Sequence, residues 1–131
     1  MSQIPVPQDL RRFILTTVES VPYLEAMLLL RRESELPWDT RRLADRLFIG
    51  EKKAEGLLQA LLAVGLLVLA EEPKSAYRYR PAAPELAAMV DRLAEFYASS
   101  LVEVTNLIHV THDRSAEKFA DAFIWRRKPD V

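Results

Sequence analysis

The chain has 131 residues, a formal net charge of −1 and no cysteine, and half of its residues are hydrophobic. This length and composition predict one globular domain, or one domain with an added oligomerisation arm. The absence of cysteine excludes disulfides and thiolate metal sites, and no apolar run approaches the ~18 to 20 residues of a membrane span. Because residues 1–5 lack the pattern of a signal peptide, we expect a cytoplasmic protein.

Two helices are predicted in the first part of the chain. The first covers residues 8–18 and carries an apolar stripe at helical spacing, with Asp9 in the first turn, where the helix dipole favours an acid. The second covers residues 22–32 and begins at Pro22, which suits a first helical position. It is apolar on most of its circumference. We expect the region 1–35 to pack on the core and on a dimer partner.

Two further helices are predicted, joined by a tight turn. Asp39 is placed to cap the helix over residues 40–47, because its carboxylate can accept the free amides of the first turn. The next helix covers residues 51–64, with apolar residues at three- and four-residue steps. Gly50 is predicted to make the sharp reversal and to cap this helix. Gly65 is predicted to end it in a left-handed conformation.

The hydrophobic period then changes, which predicts a β-hairpin with strands at residues 66–70 and 76–80. A long helix is predicted over residues 85–109. It is longer than the core of a small domain, so its apolar stripe predicts dimerisation. Ser115 is placed to cap a last amphipathic helix. The apolar face of that helix holds Phe119, Ala120, Phe123 and Ile124.

Small and aliphatic residues recur at fixed places in the middle of the chain. They are Leu43, Ala44, Leu47, Ile49, Ala54, Leu57, Leu58, Leu61, Gly65, Leu66 and Leu67. This pattern resembles the helix-turn-helix of MarR-like and PadR-like winged-helix transcriptional regulators, over about residues 37–81. The resemblance implies a mostly α-helical fold with a two-stranded β-wing. It places the winged helix-turn-helix at residues 36–81 and dimerisation helices at residues 82–131.

The resemblance also implies a homodimer that binds double-stranded DNA, with the helix over residues 51–64 in the major groove and the hairpin as a wing. Basic side chains would contact phosphates or guanine, and a glutamine would pair with adenine. The residues implied to bind DNA are Arg41, Arg42, Lys52, Lys53, Gln59, Lys74, Arg78 and Arg80.

The charge distribution leaves an alternative open. Residues 36–81 hold eight basic and six acidic side chains, a small excess for a protein that binds DNA. Glu51 and Glu55 place carboxylates on the reading helix, and glycine stands at position 56, where such regulators often carry arginine. The alternative is a winged-helix adaptor that binds a protein partner and does not bind DNA.

A few residues could also indicate a metal site, base stacking or catalysis, and the sequence supports none of the three. His109, His112 and Asp113 share one helical face, but a complete metal site would need ligands from a partner chain, so we predict no metal and no cofactor. Tyr77 and Tyr79 are expected to pack on the helices rather than stack on bases. The sequence has no Gly-rich phosphate loop, no Cys nucleophile and no Ser elbow, so we expect no enzyme.

Overall fold

The computed structural model describes residues 6–73 and 75–110, which form six helices and one antiparallel hairpin. The helices are α1 (Gln8–Thr17), α2 (Val21–Arg32), α3 (Thr40–Leu47), α4 (Glu51–Ala63), α5 (Pro84–Ser99) and α6 (Leu101–Val110). The strands are β1 (Leu67–Leu69) and β2 (Tyr77–Tyr79). The predicted mostly helical fold with a two-stranded hairpin is confirmed.

Side-chain caps and a glycine fix the helix ends as predicted. The Oδ1 atom of Asp39 accepts a hydrogen bond from the backbone N–H of Arg42 at 2.8 Å, which satisfies one free amide of α3. Gly65 follows α4 with φ +94°, a left-handed conformation that glycine adopts at little cost. A Cβ atom at this position would lie 3.4 Å from the Cβ of Ala82, an ordinary van der Waals contact, so the backbone conformation is what favours glycine here.

The turn between α3 and α4 differs from the prediction. Its left-handed residue is Phe48, with φ 56°, whereas Gly50 has φ −70° and ψ 156°. The prediction that Gly50 makes the reversal is therefore wrong, although Gly50 does stand at the N-cap of α4. The N–H of Phe48 donates to the carbonyl of Ala44, and that of Ile49 donates to the same carbonyl. These bonds hold the reversal without help from a glycine.

The hairpin is joined to the chain that precedes α3. Leu67 pairs with Tyr79 and Leu69 with Tyr77 across the two strands. On the other edge of β2, Tyr77 also forms an isolated antiparallel bridge with Trp38. The hairpin is thereby attached to the residue just before Asp39, the cap of α3, and lies beside the pair α3 and α4.

The long helix predicted over residues 85–109 is two helices. It is interrupted at Ser100, whose φ of −138° and ψ of 49° are not helical. Val104 and Ile108 of α6 are buried, and they belong to the same hydrophobic core as Val90 and Leu93 of α5. The single-helix prediction is therefore wrong, and most of the stripe expected to need a dimer partner is buried or half-buried within the chain.

One core includes residues from every helix, and Trp38 is among its largest fully buried side chains. Among the described residues, none of the helices alone has the length and hydropathy of a membrane span. The pair α1 and α2 reaches them only when counted together across a bend of 110°. The amphipathic helix predicted after Ser115 lies outside the described residues.

Candidate nucleic-acid interface

Helix α4 presents one long side to solvent. Its core-facing side chains Ala54, Leu57, Leu58 and Leu61 are buried, because they recur at the spacing that places residues on one helix face. The exposed positions are Glu51, Lys52, Lys53, Glu55, Gly56, Gln59 and Ala63. The described part of the chain leaves this side of α4 uncovered, so it is open to a partner.

Four of the predicted DNA-contacting cations are exposed and available. Lys52 and Lys53 stand in the first turn of α4, Arg41 stands in the first turn of α3, and Arg80 follows β2. The side chains of these four residues form no hydrogen bond or ion pair with another described residue. Their charges are therefore free to meet an anion.

Two other predicted contacts already bind main-chain carbonyl groups. The Nη1 atom of Arg42 donates to the carbonyl of Pro37 at 2.9 Å. The Nη1 atom of Arg78 donates to the carbonyl of Glu35 at 2.7 Å. Both carbonyls lie in the connector between α2 and α3, so these arginines hold the connector in place. A guanidinium has five N–H donors, so each retains donors for a phosphate.

The two remaining predicted residues contribute less. Gln59 is exposed, and its amide nitrogen lies 3.5 Å from the Oε1 atom of Glu55, one turn earlier on α4. That distance is at the limit for a hydrogen bond, so the amide is not held firmly away from a ligand. Lys74 lies outside the described residues.

Arg46 forms an ion pair that the sequence reasoning missed. Its two terminal nitrogens meet the two carboxylate oxygens of Glu33 at 3.0 and 2.5 Å, the two-pronged geometry that arginine and a carboxylate favour. The hydrogen bonds from Arg46 hold the pKa of Glu33 below its usual value. The charge of Arg46 on α3 is therefore already paired. Nothing in the sequence indicates this pair, because spacing rules apply within one helix or strand and Glu33 lies outside α3.

The hairpin surface mixes apolar and acidic groups with its cations. Leu69 is 64% exposed and Val68 is 37% exposed, while Glu71 and Glu72 are exposed beyond β1. Neutral and acidic groups gain nothing from phosphates, so within the described residues only Arg78 and Arg80 give this hairpin charges that could attract an anion.

The tyrosines of β2 face the protein, and their predicted packing is confirmed. Tyr77 and Tyr79 are half-buried against the core. The hydroxyl of Tyr79 is buried and finds no hydrogen-bond partner among the described residues. Burial raises its pKa to about 12, because ionisation in this setting would place a charge away from water. These rings are not available to stack on nucleotide bases.

Comparison with models of known families, with curated proteins and with solved structures finds no match. In residues 6–73 and 75–110 no group of three or more metal-ligating side chains comes together. Of the three residues considered for a metal, His109 is exposed near the end of α6, and His112 and Asp113 lie outside the described residues.

Proposed function

We propose that this protein is a DNA-binding transcriptional regulator of the winged helix-turn-helix kind, similar to MarR-like and PadR-like regulators. The observation that supports this most is the open side of α4, with Lys52 and Lys53 exposed at its N-terminal end. A major groove about 12 Å wide admits one α-helix, and the first residues of a reading helix approach the bases. In that arrangement, the two lysines would enter the groove, where they could contact guanine or the phosphates on either side.

The cations around α4 fit the same arrangement. Arg41 stands in the first turn of α3, where free backbone amides and the helix dipole also attract anions. Arg78 and Arg80 lie on or beside β2, which would place the hairpin as a wing along the backbone. Glu51 and Glu55 oppose phosphate contact, so we expect modest affinity with a marked dependence on salt.

We also propose that the regulator acts as a homodimer, because two reading helices must meet half-sites about one turn apart on the duplex. The dimer surface would lie on α6, where Leu101 is 54% exposed and Val102 is 55% exposed. Sedimentation of the full chain tests this proposal. A monomer at concentrations that saturate DNA would contradict it.

A salt titration with a random-sequence duplex tests the DNA proposal. Binding should weaken log-linearly with salt, with a slope of roughly −0.9 for each phosphate contacted. Lys52→Gln together with Lys53→Gln should weaken binding and reduce the slope by about two units. The matched control is Arg11→Gln with Arg12→Gln, which removes the same charge from exposed positions of α1. Equal effects of both double variants, or no binding at low salt, would contradict the proposal.

A protein-binding adaptor is the second candidate, and the exposed apolar side chains favour it. Phe48 is 94% exposed at the turn before α4, and Leu69 is 64% exposed on β1. Exposed aromatic and aliphatic side chains of this size are typical of protein interfaces. The salt titration separates the candidates, because an adaptor shows no binding to a random duplex at low salt.

A further inference from the structure

A groove runs between the start of α1 and one side of α6. It has a volume of about 320 Å³ and is lined by Val6, Arg11, Glu103, Asn106, Leu107 and Val110. The four α6 residues are spaced three and four positions apart and so share one face. This face differs from that of Val104 and Ile108, which are buried in the core. The groove is therefore a second apolar surface on α6, and Val110 remains 45% exposed at its edge.

We infer that this groove is the docking site for residues 115–125 of the same chain. The sequence predicts an amphipathic helix there, with two phenylalanines and an isoleucine on one face. The occupant and the groove therefore match in apolar character.

The covalent connection favours this occupant over a second copy. Val110, the last described residue, itself lines the groove, and only four residues separate it from Ser115. A short tether of this kind gives an effective concentration in the millimolar range. A second copy present at micromolar concentration would have to bind roughly a thousandfold more tightly to compete.

Charge favours one direction of docking. If the segment docks in the groove from so short a tether, it would run antiparallel to α6 and would bring residues 126–128, two arginines and a lysine, toward the start of α6. Glu103 lines the groove on that side. Glu95 lines an adjacent hollow with Pro7, is exposed, and has no ion pair with another described residue. The basic cluster would thus meet two carboxylates, while Arg11 of α1 is the one cation among the described residues that line the groove.

The absence of native cysteine allows a direct test in the full chain. Asn106→Cys with Ala120→Cys places one thiol in the groove and one on the apolar face of the segment. A short bis-maleimide should link them within one chain, giving a product with monomer mass. The matched control is Gln59→Cys with Ala120→Cys, which puts the first thiol on the open side of α4 and should not be linked within the chain. Linked dimers would overturn the inference in favour of a second copy.

A second measurement does not depend on cross-linking geometry. The thiol of Asn106→Cys alone should react with a maleimide about tenfold more slowly than an open thiol if the segment is docked for nine tenths of the time. Adding Phe119→Ser and Phe123→Ser should restore the fast rate. A rate that is fast from the outset, or slow and unchanged by the serines, would overturn the inference. Neither measurement uses DNA, so the result is independent of whether the protein binds DNA.

Discussion

Trp38 and Tyr77 exchange both of their backbone hydrogen bonds, with N···O distances of 2.7 Å in each direction. The Trp38 indole is fully buried, and its Nε1 atom donates to the carbonyl of Glu33 at 3.2 Å. The guanidinium of Arg46 lies 5.5 Å from the centre of the ring, close enough for a cation–π contact. This one residue joins the connector, the hairpin and α3, and so orients the hairpin beside α4.

Replacing Trp38 should lower the free energy of unfolding more than replacing an exposed residue does. We expect Trp38→Ala to lower the free energy of unfolding by about 3 to 5 kcal/mol, because a large buried side chain leaves a cavity. Urea denaturation followed by circular dichroism measures the change. Leu69→Ala is the control, and it should cost no more than about 0.5 kcal/mol because Leu69 is largely exposed. Comparable losses in both variants would mean that Trp38 does not join these elements.

Alanine should have opposite effects at two glycines. Gly56 lies within α4 with nothing near its absent Cβ, so Gly56→Ala should raise the free energy of unfolding by about 0.5 to 1 kcal/mol. Gly65→Ala should lower it by about 1 to 2 kcal/mol, since its φ of +94° is left-handed. Thermal denaturation of the two variants side by side tests this. A shift of the same sign in both would contradict the assigned backbone.

Phe48 should be replaceable with a gain in stability. It holds a left-handed conformation that favours glycine, and it is 94% exposed, so its ring loses almost no packing when removed. We expect Phe48→Gly to raise the free energy of unfolding by about 0.5 to 1 kcal/mol. Leu47→Gly is the neighbouring control and should destabilise, because Leu47 is half-buried against the core and lies within α3. A destabilised Phe48→Gly variant would contradict this. It would show that contacts of the Phe48 ring stabilise the fold by more than the left-handed backbone conformation destabilises it.

Local signals predicted much of this fold. Asp39 caps α3 and Gly65 ends α4 because a short acceptor and a residue without a Cβ each solve a problem confined to a few neighbouring residues. Phe48 escaped prediction because its neighbours Ala44 and Ile49 hold the reversal in place of a glycine. Ser100 escaped it because the break serves tertiary packing: it lets α6 bury Val104 in the core of its own chain.

The candidate site was predictable only in part. The exposed positions of Lys52 and Lys53 follow from the helical spacing of the apolar residues around them. The contacts of Arg42 and Arg78 with carbonyls of the connector depend on how separate elements pack. Nothing in the linear order indicates which cations keep their charge available and which, like Arg46, are already paired.

The ion pair between Glu33 and Arg46 should make stability depend on pH. The pKa of Glu33 is lowered from its ordinary 4.5, first by the hydrogen bonds from Arg46. A carboxyl whose pKa is lower in the folded state stabilises the fold above its unfolded pKa, and this contribution is lost as the pH falls through the folded value. Glu33→Gln should therefore destabilise the protein near neutral pH and have progressively less effect in acid.

Urea midpoints of the wild type and Glu33→Gln, measured from about pH 7 down to about pH 2, follow the difference as the Glu33 carboxyl becomes protonated. Because both side chains are partly accessible to solvent, the difference should also shrink in high salt. Glu71→Gln is the control, since Glu71 is exposed and has no ion pair with another described residue. The difference in stability between the wild type and Glu33→Gln could instead stay constant over this pH range. That result would mean that the charge of the Glu33 carboxylate does not stabilise the fold.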